Sequence, residues 1–282
     1  MDLPLVATFH TLARVKADAG VDDDPAHRTV VEHEVIACAD LMLASTPEER
    51  SQLAELYAAD PTRIEIVPPG VDHTVFAPGD RDAARARLGI DARRMLLFAG
   101  RIQPLKGADL AVQCLAALDD PGTVLVVVGG PSGREGGAEV RRVRELAAAL
   151  GVADRVRWFR PQPHDRLAEF YRAADVCLVP SRTESFGLVA LEAASCGTPV
   201  VAAAVGGLRS LVHDGVTGFL VEGREPAEYA APVARVLADP ELAAGMSRRA
   251  VEQSARYSWS TTAARLRRLY GDLAARRPVR CD

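Results

Sequence analysis

At 282 residues the chain exceeds the usual single domain of roughly 100 to 200 residues and predicts two domains or one large α/β unit. Hydrophobic residues make up 48% and charged residues 26%, the balance of a folded soluble protein, which excludes a disordered chain. A formal charge of −4 and a pI near 5.9 supply no basic field, so nucleic acid is not an expected partner.

The five cysteines are odd in number and scattered, with no C-x-x-C pair, so neither a disulfide framework nor a zinc site is indicated and a reducing cytoplasm is expected. No apolar run approaches the roughly 18 residues of a membrane span. The stretch from Met1 to His10 lacks the basic start and cleavage site of a signal peptide. Pro4 to Phe9 reads instead as a buried strand, which needs neighbours in a sheet.

Apolar runs of strand length then alternate with helical stretches, the pattern of a parallel sheet covered on both faces. The first group comprises a strand at 4–9, a helix near 27–39, a strand at 41–45, a helix at 47–59 and a strand at 64–68. Pro68-Pro69-Gly70 and the polar stretch through Pro78-Gly79-Asp80 break this pattern and mark a domain boundary. The second group supplies strands near 95–99, 123–128, 155–159, 176–179, 199–203 and 217–221, enough for a complete doubly wound domain. Amphipathic helices at 226–238, 240–256 and about 260–275 follow, and Arg276-Arg277-Pro278 reads as a frayed tail.

Ligands of an open α/β sheet bind at the carboxyl ends of its strands, so four loops carry the expected chemistry. The first is Gly100-Arg101-Ile-Gln-Pro-Leu-Lys106-Gly107. Arg101 can present a planar fork to phosphate oxygens, and Lys106 adds a point charge at a helix start. From charge alone a solvated surface loop explains both cations as well as a diphosphate site does; placement after a strand favours the diphosphate. It is not a P-loop, because Ala108 follows where a hydroxyl would hold magnesium. The second loop, Gly129-Gly130-Pro131-Ser132-Gly133, lets backbone approach a ligand, and a tight strand-to-helix turn explains it equally well.

The third loop, from Pro180 to Pro199, joins a strand to a helix whose expected first residues, Phe186, Gly187 and Leu188, offer N–H groups to an anion. Glu184 precedes that helix and Glu192 sits in its second turn. Two carboxylates so close to a phosphate fit neutral hydroxyls of a sugar and a ribose. A helix cap for Glu184 and a satisfied pair for Glu192 are the plain alternatives. The fourth loop, Ala204-Val-Gly-Gly207, completes the same rim.

These loops resemble the retaining GT-B glycosyltransferases of family four, and the stretch from Glu184 to Glu192 has that family's E-x7-E form with the flanking S-x-x-E-S-F-G-L and E-A-x-x-C-G-T-P-V-V-A patterns. Further runs, His10 to Lys16 and Gly100 to Lys106, are similar to members that glycosylate inositol 3-phosphate in mycothiol biosynthesis; sucrose-phosphate synthase-like members share several of them. The resemblance implies an α/β GT-B fold of two Rossmann-like domains. Residues 1–75 would be the C-terminal part of the acceptor-binding domain, 76–258 the nucleotide-sugar-binding domain, and 259–282 a C-terminal helix and tail. Roughly the first third of the usual enzyme, including a glycine-rich donor loop, would lie upstream of Met1.

Carried over residue by residue, the resemblance implies that Arg101 and Lys106 bind the donor diphosphate, Glu192 the ribose and Glu184 the transferred sugar. It implies a backbone contact to uracil near Gln162, His10 beside the donor sugar, and Thr11 and Arg28 on the acceptor phosphate. Ala17 replaces an asparagine usual at that place, which loosens the acceptor assignment. The implied partners are a UDP-sugar and a small phosphorylated polyol, with N-acetylglucosamine the expected sugar and a homodimer left open. No catalytic metal is implied; relatives can carry a structural magnesium near the segments matching Tyr171 to Ala174 and Thr198. A glycoside hydrolase using Glu184 and Glu192 is the rival enzyme, which the arginine-lysine loop argues against. A UDP-binding module without transferase activity is the rival of another class.

Overall fold

The run Thr123–Val128 is buried at every position, and a strand with no solvent-facing residue belongs in the middle of a sheet covered on both sides. The computed structural model, which describes residues 3–20, 27–132 and 136–275, places it there. Six parallel strands, β4 (Arg94–Ala99), β5 (Thr123–Val128), β6 (Val156–Phe159), β7 (Val176–Val179), β8 (Val200–Ala203) and β9 (Gly218–Val221), lie in the order β6-β5-β4-β7-β8-β9. The order reverses between β4 and β7, so a crevice opens at their carboxyl ends. A smaller parallel sheet, β1-β2-β3, comprises Val6–Thr8, Leu41–Ala44 and Ile64–Ile66.

The helices are α1 (Ala13–Asp18), α2 (Arg28–Cys38), α3 (Pro47–Tyr57), α4 (Arg81–Leu88), α5 (Ala108–Ala117), α6 (Gly136–Ala149), α7 (His164–Ala173), α8 (Leu188–Ser195), α9 (Leu208–Leu211), α10 (Pro226–Ala238), α11 (Pro240–Ser254) and α12 (Trp259–Ala274). Two apolar clusters cover the six-stranded sheet, one built on α7 and α8, the other on α5 and α10. Local chemistry sets the ends. Thr46 and Asp80 accept from the N–H of Glu49 and Ala83, and so start α3 and α4. Gly89, at φ +66°, stops α4.

The last helix returns to the first sheet. Leu269 and Leu273 of α12 pack with Leu41, Leu43 and Val67, Thr262 Oγ1 donates to the Pro68 carbonyl at 2.8 Å, and Arg265 meets Glu65 at 3.1 Å. At the crossing, Val71 pairs in parallel with Ser258, and a Cβ on Gly70 would stand 2.1 Å from the Trp259 nitrogen. Only glycine lets these two passes of the chain lie so close.

The strands and long helices expected from sequence are present, with ends that coincide or shift by at most two residues. The short helix α1 was not expected. The third-loop helix begins at Leu188 and not at Phe186, because Gly187, at φ +106°, lies outside helical backbone and serves as the N-cap. Gly133 and the tail from Arg276 lie outside the described residues. Cys114, Cys177 and Cys196 are buried free thiols, whereas Cys38 is disulfide-bonded, which corrects the expectation that no disulfide is indicated.

Candidate functional site: a nucleotide-sugar cleft

The first two loops meet backbone to backbone. Gly100 N–H donates to the Val128 carbonyl and Ile102 N–H to the Gly130 carbonyl, both at 2.9 Å, and a Cβ on Gly129 would stand 1.8 Å from the Gly100 oxygen. Side chains are excluded from that contact, so a cavity of about 330 Å³ remains beside it, lined by Gly100, Arg101, Gly130, Gln162, Tyr171 and Val189 among others. Its apolar floor and few polar groups suit a flat ring system. Arg101 is exposed at its rim, and no hydrogen bond or ion pair engages its side chain within the described residues. Gln162 Nε2 is turned back onto the Arg160 carbonyl at 2.9 Å.

The first and third loops are locked together across the crevice. Arg182 N–H donates to the Leu105 carbonyl at 2.8 Å, and a Cβ on Gly107 would lie 2.3 Å from the Pro180 oxygen. Lys106 Nζ lies 2.6 Å from Glu184 Oε2, which also accepts from Ser181 Oγ at 3.2 Å. Sequence reasoning placed both residues at the site but did not pair them. The fourth loop braces the third, since Gly207 N–H donates to the Glu184 carbonyl at 2.9 Å and a Cβ on Gly206 would lie 2.0 Å from that oxygen. Phe186 is buried against Tyr257, so its ring supports the loop from below, while Leu188 opens α8 on the exposed side.

Glu192 points inward from α8 and accepts a 2.8 Å hydrogen bond from Tyr171 OH. Burial pushes its carboxyl above the usual carboxylate range, opposed by that hydrogen bond and by the charge of His164. The Tyr171 hydroxyl is itself driven well above its ordinary value, chiefly by desolvation, so it stays a donor. Sequence reasoning named Tyr171 only in connection with an ion; its hydroxyl role depends on a contact between α7 and α8 that spacing does not show. The segments assigned to magnesium do not fit a metal. The Tyr171 carbonyl already accepts from Thr198 Oγ1 at 2.6 Å and from Ala174 N–H at 3.1 Å, and no group of three or more His, Cys, Asp or Glu residues suited to a metal occurs among the described residues.

The first sheet faces this cleft. Ser185 Oγ donates to the His10 carbonyl, Thr46 Oγ1 donates to the Ser185 carbonyl at 3.5 Å, and Thr11, Lys16 and Glu49 face Thr183, Glu184 and Ser185 across a narrow crevice. Arg28 Nη2 donates to the Thr11 carbonyl at 2.6 Å and to Thr11 Oγ1 at 3.2 Å, so the two residues assigned to the acceptor stand together. Buried Glu32 holds them. It accepts from Arg28 Nε at 2.8 Å, from the Ala13 N–H and from Tyr57 OH. Glu32 had no signal in the sequence beyond its place on a helix.

Comparison with known proteins bears directly on this arrangement. Residues 80–253 match the family model described as glycosyl transferases group 1, and residues 1–75 match glycosyltransferase family 4. The chain belongs to the group 1 glycosyl transferases. It is 50% identical to the D-inositol 3-phosphate glycosyltransferase of Acidothermus cellulolyticus over 98% of this chain and 63% of that protein. The namesake of Frankia alni is 49% identical over 95% of this chain and 68% of its own length. The chain thus spans only about three-fifths to two-thirds of these curated relatives. Among solved structures, sucrose-phosphate synthase from Thermosynechococcus elongatus superposes with a TM-score of 0.90 at 32% identity, covering 98% of this chain and 69% of that one. The fold of this group 1 glycosyl transferase is therefore GT-B, with the two facing parallel sheets described above. No helix among its described residues is long and apolar enough to cross a membrane.

Proposed function

We propose that this chain carries the donor site of a retaining glycosyltransferase that takes N-acetylglucosamine from its UDP conjugate and passes it to inositol 3-phosphate. The observation that carries the reading is the contact between Lys106 and Glu184, 2.6 Å apart, which joins the loop after β4, where Arg101 also lies, to the loop after β7 that leads to Glu192 on α8, at the switch point of the six-stranded sheet. Relatives near 50% identity named for inositol 3-phosphate support the acceptor.

In this reading the uracil ring lies in the apolar cavity near Gln162, and Glu192 accepts the ribose hydroxyls. Arg101, Lys106 and the N–H groups at Gly187 and Leu188 hold the diphosphate. Glu184 orients the sugar hydroxyls, His10 faces the sugar from the first sheet, and Thr11 and Arg28 take the acceptor phosphate. The bond between the sugar's anomeric carbon and the diphosphate breaks as the acceptor oxygen bonds to the same face, and the acceptor proton passes to an oxygen of the leaving diphosphate. Cations fixed beside the leaving group stabilise the charge that grows there, which is the largest contribution such a site makes. The likeness to sucrose-phosphate synthase favours a second acceptor class, another phosphorylated sugar, on the same donor machinery.

A thermal melt with and without UDP tests the donor half. Saturation at about 100 times the dissociation constant adds about 2.7 kcal/mol to the native state, which raises the midpoint by several degrees. A folded sample that shows no shift rejects the donor site. Transfer to inositol 3-phosphate, assayed with the chain joined to the upstream segment of a relative, tests the acceptor half; cleavage of simple glycosides without UDP release would favour a hydrolase instead.

A further inference from the structure

A second cavity, of about 340 Å³, opens at the other end of the same sheet. Arg94 begins β4 and Asp175 immediately precedes β7, so this cavity lies a strand's length, roughly 17 Å, from the donor loops. Its walls combine two guanidinium groups, Arg81 and Arg94, with an apolar side formed by Val236, Leu237, Pro240 and Ala243. Asp175 is the only acidic residue lining it among those described, and it is buried.

The charges do not balance. Arg85 meets Asp175 at 2.7 Å and spends its other donors on the Ala173 and Ala92 carbonyls. Arg81 shares the same carboxylate at 3.0 Å, and Arg94 stands 4.0 Å from it while donating to the Leu237 carbonyl. Three guanidinium groups around one carboxylate leave two positive charges in excess. Both Arg81 and Arg94, with 45% and 35% of their side chains exposed, are the ones that face the cavity. A pair of guanidinium forks presented to one space matches phosphate geometry, and the apolar wall beside them would cover a hydrocarbon or ring.

We propose that this cavity is a second ligand site, taking a small phosphorylated molecule with an apolar body. The phosphate sits between Arg81 and Arg94, and the body lies on α10 and α11. The site is separate from the donor cleft and does not rest on the function proposed for it.

The test is calorimetric titration of phenyl phosphate into the full chain saturated with UDP, at constant ionic strength, with inorganic phosphate as the comparison. Phenyl phosphate is expected to bind saturably and at least fivefold more tightly than inorganic phosphate. The double variant Arg81→Gln, Arg94→Gln should weaken it at least tenfold. Ala244→Trp, at the exposed rim, fills the cavity while leaving both arginines in place and should do the same. The substituted residues are remote from the donor loops, so their effect reports this cavity whether or not UDP binds. Absence of saturable binding, or equal affinity in all three proteins, overturns the site; equal affinity for inorganic phosphate overturns the apolar half of the assignment.

Discussion

Lys106 Nζ and Glu184 Oε2 stand 2.6 Å apart, joining two loops that are 78 residues apart in the chain, and each side chain is more than three-quarters buried. In the proposed function this pair must part when donor binds, the ammonium turning to the diphosphate and the carboxylate to sugar hydroxyls. Lys106→Ala removes the diphosphate contact and strands Glu184. Turnover of the complete enzyme should fall about 10²-fold, by analogy with the loss of one oxyanion donor. Steady-state kinetics measure this, and unchanged turnover would remove Lys106 from the mechanism.

The same pair has a structural share that can be separated from the chemistry. A double-mutant cycle with Lys106→Met and Glu184→Gln, followed by thermal denaturation without ligand, should give a coupling of about 1.5–3 kcal/mol, the range for hydrogen bonds to charged groups. Zero coupling would mean that the loops are held by backbone contacts alone.

In the proposed function Glu192 is expected to make donor binding pH-dependent. Burial holds its carboxyl above the ordinary range, with Tyr171 and His164 pulling it down. A carboxyl raised in this way keeps its proton longer in the folded state than in the unfolded. Its contribution to stability is therefore fully present below the unfolded value and is lost as pH rises through the folded one. Ribose binding by the ionised form follows the opposite course and grows with pH. Tyr171→Phe deletes a donor that favours ionisation, so the midpoint of UDP affinity against pH should move upward. An unmoved midpoint would show that Glu192 does not act as the ionised acceptor.

Glu32 holds Arg28, which takes the acceptor phosphate in the proposed function, and Tyr57. It is 4% exposed and accepts from Ala13 N–H, Arg28 Nε and Tyr57 OH. Glu32→Gln removes the buried charge that accepts from Arg28 Nε and should cost about 3 kcal/mol, as removal of one member of a buried ion pair does. The melting midpoint of the chain measures it, and an unmoved midpoint would show that Glu32 does not hold this face together.

Gly107 offers a test of loop placement free of any change in charge. Its φ of +72° suits glycine, and a Cβ would lie 2.3 Å from the Pro180 oxygen. Gly107→Ala should push the Lys106 and Glu184 loops apart and weaken UDP binding at least tenfold while the protein stays folded, as read by calorimetry and circular dichroism. Undiminished affinity would show that the two loops need not touch.

The strands were legible because parallel strands buried on both faces are unbroken apolar runs, as in Val124–Val128, and the loops because ligands gather at strand ends. Pairing was not. Nothing in the spacing of Lys106 and Glu184, or of Tyr171 and Glu192, says that they touch, since the folded sheet and not the sequence interval brings them together. The start of α8 was misplaced by the same kind of gap: Phe186 and Leu188 look alike as apolar helix residues, and only the positive φ of Gly187 divides the buried ring from the exposed first turn. Glu32 and α1 were missed because a short helix and a single acidic residue carry no periodic signal.

The bridge between Val71 and Ser258 gives the two sheets a common spine. The chain passes between them twice, outward beside Gly70 and back into α12, which then lies against β2 and β3. The two halves are therefore tied by a double strand, and a single proteolytic nick between residues 72 and 79 should leave them travelling together until denaturant frees α12.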